Sequence, residues 1–446
     1  MPAHLRKLFA QLGDSFWLLP SGLCLLGIFG AEALVHLDRI GRVPRWLIDG
    51  EWVYSGGGTG ARTLLGAVAS STIGVAGTVF SITIAALSLA AGQMGPRLLR
   101  NFTRDRGVQF TLGAFLGTFS YALMVLRSVR TQDEGAFTPH LSLTVGVLLA
   151  FVCVATLVYF VGHMAGRINV DTVIELVSED VRGAIGRLTV DAPGPAAPAE
   201  SFWRGATTVV ERRRGYLQEL DTHGLAAWAA EHRSVIRLLV RPGDYVFPGT
   251  PAALVLGPAD GADAAIRRAM ALGATRLSSV DIEFAVRQLV EVAVRALSPG
   301  INDPHTAIGV LDRLGASLCD VAPVWLPTGV TLDNGHAVLV VPSVDYDGLV
   351  DGMFHMIRQN AAGSAAVLIR LLEVLTAVAS CERDPIRSAT LQRHADLALG
   401  DAGRSIGTPA DVADVRRVHA AFERMRQAGP SGMAGARAAV DEALLP

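Results

Sequence analysis

Three sets of side chains carry chemistry by their type and spacing. The first lies in "QMGPRLLRNFTRDRG", residues 93–107, where Arg97, Arg100, Arg104 and Arg106 fall close together and only Asp105 opposes them. At spacings of three and four, Arg97, Arg100 and Arg104 share one helical face. Guanidinium groups gathered in this way hold anions: lipid phosphates at a membrane surface, or a permeant anion at the mouth of a path. The second set is Ser70, Gly74, Gly77, Ser81, Ala85, Ser88 and Gly92. On a helix these form one stripe of small, partly hydroxylated residues. Such a stripe lets two backbones approach closely in lipid, or it lines a hydroxyl-bearing path for ions or small solutes. Thr72, Thr78 and Thr83 lie off the stripe and are free to face either way. Gly113 with Gly117, and Gly162 with Gly166, add two GxxxG pairs.

The third set is Ser298, Asn302, Asp303, Pro304 and His305 in "SPGINDPH". The segment stops one helix and starts another, with Asp303 suited to the N-cap and Pro304 to the first helical position. His305, Asp303, Asn302 and Asp281 also suggest a metal or acid/base cluster, but their spacing fits no known ligand pattern. Capping therefore explains Asp303, and no metal, cofactor or catalytic residue is expected. Asp345, Asp347 and Asp351 read as a solvated edge, since the full calcium-loop signature is missing. No GxSxG, HExxH, Walker A or GxGxxG sequence with supporting context is present, so an enzyme is not expected.

The elements that must position these residues begin with four apolar segments. A helix needs roughly 20 apolar residues to cross a bilayer. The first segment runs from about Phe16 to Leu37. The second carries no charge between Arg62 and Arg97 and is longer than a bilayer requires. The third is Phe110 to Leu126, and the fourth is Leu141 to Gly166 with His163 as its only ionisable residue. A cleaved signal peptide is the rival reading of the first, because Arg6 and Lys7 precede it and Ala31-Glu32-Ala33 resembles a cleavage site. With the N-terminus inside, eight basic residues near the segment ends are cytoplasmic and six external, so both termini are placed inside. Gly95-Pro96 is expected to interrupt the second helix, leaving the arginines at headgroup level.

Half of the 446 residues are apolar, 18% are charged and the net charge is −2, so the global balance says little about partners; no nucleic acid is expected. Cys24, Cys153, Cys319 and Cys381 form no CxxC and read as small hydrophobes rather than a disulfide framework. Residues 169–200 read as an amphipathic helix followed by the Pro/Ala-rich linker "DAPGPAAPAE". Residues 201–260 read as a small β-rich module. Its "RPGDYVFPG" turns resemble those of hammerhead or lipoyl-type modules, with no lysine to carry biotin or lipoate. Residues 261–446 read as mainly helical. Ile282, Ala285, Val286, Leu289, Val290, Ala293 and Leu297 form the apolar face of one helix there.

Two stretches, "LSLAAGQMGPRLLRNFTRDRGVQFTLGAFLGTFSYALMVLR" and "RLSSVDIEFAVRQLVEVAVRALSPGINDPHTA", resemble a bacterial family of membrane proteins, domain of unknown function 2254. The resemblance covers nearly the whole chain. It implies an integral membrane protein with a C-terminal soluble region, and it brings no substrate, activity or catalytic residue.

The expected fold is therefore a membrane α-helical bundle of four transmembrane helices, residues 1–168, plus a cytoplasmic α+β domain containing a small β-module. The expected function is an oligomeric channel or transport-type protein of the plasma membrane, its path lined by the second helix. The alternative is a membrane-anchored scaffold or sensor whose soluble domain binds a partner or ligand. The expected partners are membrane lipids and further copies of the chain.

Overall fold

The computed structural model describes residues 16–40, 57–94, 105–130, 137–167, 170–276 and 282–443. Two compact units emerge, one within Leu8–Asn169 and one from Val170 onward.

The first unit is four helices: α1 (Leu18–Ile40), α2 (Gly58–Met94), α3 (Arg106–Ser128) and α4 (His140–Arg167). Each is long and apolar enough to cross a membrane. Helix α3 is central, with 61% of its most apolar window buried against 17–28% for the other three. Its glycines explain how α1 comes so near. A carbon added at Gly27 would meet the Gly117 carbonyl oxygen at 2.3 Å, and one added at Gly117 would meet the Leu23 carbonyl oxygen at 2.8 Å. Here the GxxxG pair Gly113–Gly117 serves close helix packing. The other pair does not: Gly162 and Gly166 face open space within the unit.

Two carboxylates pin the ends of α4. Asp38 of α1 accepts the backbone N–H groups of Leu141 and Ser142 at 3.1 and 2.9 Å and the Ser142 hydroxyl at 2.6 Å. It thus caps the start of a neighbouring helix, where N–H groups are otherwise unpaired. Asp105 does the same for its own helix α3, accepting from Gly107 and Val108. It also pairs with His163 near the other end of α4.

The second unit opens with α5 (Val170–Leu188), whose face of Ile174, Val177, Val181 and Ile185 is buried. Strands β1 (Thr207–Val210) and β2 (Gly215–Leu220) precede α6 (Thr222–Glu231). Then come β3 (Val235–Leu238), β4 (Tyr245–Val246), β5 (Pro251–Leu256), α7 (Ala262–Ala269) and β6 (Met270–Gly273). Helices α8 (Ile282–Ala296) and α9 (Pro304–Val321), strands β7 (Val330–Asp333) and β8 (His336–Val340), and helices α10 (Tyr346–Asn360), α11 (Ala365–Cys381), α12 (Pro385–Ser405) and α13 (Pro409–Ala443) follow.

The β structure includes five strands of the β-rich stretch 201–260 and extends beyond it. One sheet has the order β1-β5-β3-β8-β7, and its β3–β8 pair is parallel. The other has the order β4-β2-β6. Both therefore draw strands from beyond residue 260. The reason is burial: Ile236, Leu238, Val255 and Leu339 share one core with Leu225 and Ile266, which no single hairpin could cover.

The helical half follows its predicted pattern. Ile282, Ala285, Val286, Leu289, Val290 and Ala293 of α8 are buried. Gly315 of α9 sits against Val374 of α11, where an added carbon would approach Val374 Cγ1 to 2.4 Å. Arg387 ties three elements together. Its guanidinium donates to the carbonyls of Val321 (3.3 Å) and Val324 (3.0 Å) past the end of α9, and it lies over the rings of Trp325 and Tyr346.

Candidate functional site

The stripe on α2 is placed where the bundle does not use it. Ser70, Gly74, Gly77, Ser81, Ala85 and Ser88 are all exposed in the four-helix unit, and Gly92 lies further along the same helix. The face that packs on the other helices is instead Ala61, Leu65, Val68, Thr72, Ala76, Val79 and Ala86. At about 100° per residue the two faces are roughly 180° apart. The small residues therefore do not cement this bundle, which corrects the packing reading of the stripe within one chain.

Local hydrogen bonds fit the hydroxyls to an apolar setting. Ser70 donates to the Gly66 carbonyl and Ser81 to the Gly77 carbonyl, both at 2.9 Å. Each hydroxyl proton is thereby satisfied on its own helix, and the oxygen keeps its lone pairs for whatever lies outside. The three off-stripe threonines separate: Thr72 is buried, Thr83 is half-buried and Thr78 is exposed. The unit also shows the outside large apolar side chains: Ile73, Phe80, Ile82 and Ile84 flank the stripe on α2, and Leu25, Leu26 and Phe29 of α1 and Leu148, Phe151, Val154 and Val158 of α4 are exposed as well.

Of the arginine cluster, Arg97, Arg100 and Arg104 lie outside the described residues, as does the Gly95-Pro96 interruption. Arg106 is exposed at the first position of α3. Beside it is a group that sequence reasoning passed over. Asp105, 4% exposed, meets His163 Nε2 at 2.8 and 2.9 Å through its two oxygens. The Tyr159 ring stacks on the imidazole, with centroids 5.3 Å apart. A cap and a lone histidine thus combine into an ionisable pair at one end of the bundle, and groups of this kind are costly near hydrocarbon.

In the second unit the "SPGINDPH" residues form a helix-to-helix turn. Asp303 accepts the N–H of His305 at 3.1 Å, the N–H of Thr306 at 3.2 Å and the Thr306 hydroxyl at 2.6 Å. Pro304 opens α9, as the spacing predicts. Asn302 has a φ of 50°, in the left-handed region that ends the preceding turn. Ser298 donates to the Arg295 carbonyl at 2.6 Å. His305 is exposed, and Asp281 lies outside the described residues. The Thr306 hydroxyl holds the Asp303 carboxyl below its ordinary range against a smaller opposing effect of burial, and the two N–H groups add to the lowering.

The three aspartates near 350 lie at the surface, as a solvated edge would, yet each has a partner. Asp345 caps α10 through the Gly348 N–H at 2.7 Å. Asp347 accepts the Thr390 hydroxyl, and Asp351 accepts His394 Nε2 at 2.8 Å. Asp347 and Asp351 face α12, and Asp351, His355 and His394 are close enough to share an ion. The D-x-x-x-H spacing of Asp351 and His355 was a usable signal in the sequence; His394 was not, because it comes from another helix.

The match to known proteins is to the same stretches that form these elements. A family described as "Predicted membrane protein (DUF2254)" matches residues 13–377. The chain belongs to this family. DUF2254 relatives include the uncharacterized proteins MT1328 of Mycobacterium tuberculosis (strain CDC 1551 / Oshkosh) and Mb1321c of Mycobacterium bovis. Each is 33% identical over 432 residues, covering 92% of this chain and 80% of the relative. The uncharacterized protein Rv1290c of Mycobacterium tuberculosis (strain ATCC 25618 / H37Rv) matches to the same extent. No solved structure matches the chain.

Proposed function

We propose that this DUF2254 protein is an oligomeric channel or transport-type protein, in which α2 of each copy turns its stripe towards a shared path. The single observation that carries the reading is the outward stripe. Acyl chains suit the leucines, valines and phenylalanines that α1 and α4 expose. A line of Gly, Ser and Ala offers lipid little contact, and offers another helix close approach with hydroxyl oxygens along the seam.

In this reading the membrane is the plasma membrane, both termini are cytoplasmic, and the arginines after α2 meet inner-leaflet phosphates at the mouth of the path. The soluble unit assembles or gates the copies. Lipids and further copies are the partners; nucleic acid, cofactors and catalysis have no part in it. Recording from purified protein in planar bilayers tests this. Discrete currents that Ser81→Leu suppresses are expected, and silence across ions and pH values would overturn it.

One observation favours a second reading, a membrane-anchored sensor. The soluble unit holds a mostly apolar cavity of about 480 Å³ whose lining includes Arg241, Pro242, Leu326, Thr328 and Pro342. That volume lies within the range of small-molecule sites. A stoichiometric ligand or partner kept after deletion of residues 1–168 would favour the sensor.

A further inference from the structure

Helices α10 and α12 bring together three side chains that neither the path nor the cavity uses. Asp351 and His355 stand one turn apart on the same face of α10. His394 reaches them from α12 and is fully buried. Its Nε2 lies 2.8 Å from Asp351 Oδ1, and His355 Nδ1 lies 3.8 Å from the same oxygen. One donor atom from each residue falls within 4.8 Å of the others. We infer that Asp351, His355 and His394 form a binding site for a single divalent transition-metal ion of the zinc type.

The geometry fits that ion. Bonds of about 2.0–2.1 Å in a tetrahedron hold neighbouring ligand atoms about 3.3 Å apart. The two separations here fall on either side of that value, so small rotations would complete the set. Two imidazoles with one carboxylate suit zinc and its neighbours rather than calcium or magnesium, which take oxygen ligands. Three protein ligands leave a fourth position for water or a further donor. The side chains of Asp351 and His355 are 42% and 40% exposed, so an ion has a way in.

Two observations separate the cluster from an ordinary helix-to-helix contact. His355 Nδ1 is buried and has no hydrogen-bond partner among the described residues, although it faces the carboxylate. An imidazole nitrogen left in that state is unfavourable unless something takes its lone pair. His394 Nδ1 is likewise buried with no hydrogen-bond partner among the described residues, so both imidazoles of the cluster keep an unmatched ring nitrogen.

Arg393 sets the competition. Its Nη1 lies 2.9 Å from Asp351 Oδ1, and Nη2 lies 3.5 Å from Asp347. Without metal, this guanidinium balances the Asp351 charge. With metal, it has Asp347 to turn to. Removing Arg393 should therefore strengthen metal binding, which a merely structural His–Asp–Arg network would not do.

The neighbouring group Asp396, His419 and Glu423 is the natural control. It offers one imidazole in place of two, and its His419 ring has no buried nitrogen left without a partner, in contrast to His355 and His394.

The test uses the full-length protein, purified in detergent, stripped with chelator and titrated with zinc or cobalt(II). One equivalent per chain is expected, with the visible absorption of tetrahedral cobalt. Binding should weaken by at least about tenfold in His355→Ala and in Asp351→Asn. It should tighten by about threefold or more in Arg393→Gln and stay unchanged in His419→Ala. His355 is partly exposed, so its variant keeps the test usable if His394→Ala fails to fold. No stoichiometric binding, or binding that survives His355→Ala and Asp351→Asn, would overturn the site. So would binding lost in His419→Ala alone.

Discussion

At the scale of single residues, several carboxylates in this chain serve as anchors. Asp38, Asp105, Asp303 and Asp345 each accept backbone N–H groups at a helix start. Asp303 can be tested directly. Asp303→Ala should lower the stability of the second unit by about 1 kcal/mol, and Asp303→Asn should restore most of it. Because the folded carboxyl is held below its ordinary value of 3.8, its contribution is fully present above that pH and fades as pH falls through the lower folded value. Thermal unfolding of wild type and Asp303→Asn from pH 6 to 3 checks this. The variant should show a shallower acid limb, and identical limbs would refute the assignment. Such a cap is legible in sequence because Asp303, Pro304 and Thr306 are neighbours. The Asp105–His163 pair is not, with 58 residues between its members, and neither is the Asp351–His394 pair, separated by 43. No local pattern encodes which helices meet.

At the scale of elements, the glycines and one arginine decide the packing. Gly117→Leu must push α1 off α3, since any added carbon there meets the Leu23 carbonyl oxygen. A loss of about 1–3 kcal/mol is expected. Gly162→Leu points into open space and should change stability by less than about 0.5 kcal/mol. Unfolding of both variants in detergent micelles would show the contrast, and equal losses would contradict this account of the α1–α3 crossing. In the second unit, Arg387→Ala takes a donor from the Val324 carbonyl and from the Val321 carbonyl, which keeps only the Val324 N–H. It also strips Glu382, whose side chain is 2% exposed, of a cation 3.7 Å away. A cost of about 3 kcal/mol is expected in chemical denaturation, and Arg387→Lys should recover little because an ammonium cannot reproduce the planar fork. A near-wild-type midpoint for Arg387→Ala would refute this role. The helices themselves were legible because apolar length and period are local properties. The sheets were less so. Strand β8 joins β3 only through the shared core around Ile236 and Leu339, and short apolar runs in a helical region carry no mark of that pairing.

At the scale of the whole molecule, membership of DUF2254 and four candidate spans establish a membrane protein. The stripe's spacing was visible from the start, yet its direction was not. Leu65, Val68, Thr72, Ala76 and Val79 repeat with a similar period on the opposite side, and only the packed helices reveal which face turns inward. An outward line of small residues has its simplest explanation in a second copy of α2. Cysteine cross-linking in native membranes tests that claim most directly, using single cysteines placed in a background in which Cys24, Cys153, Cys319 and Cys381 are all replaced by serine or alanine. Ser70→Cys, Ser81→Cys and Ser88→Cys should each yield cross-linked dimers on mild oxidation, while Val154→Cys on the exposed face of α4 should not. Monomers alone at all three serine positions, or dimers from Val154→Cys as abundant as those from Ser81→Cys, would contradict an α2-lined assembly.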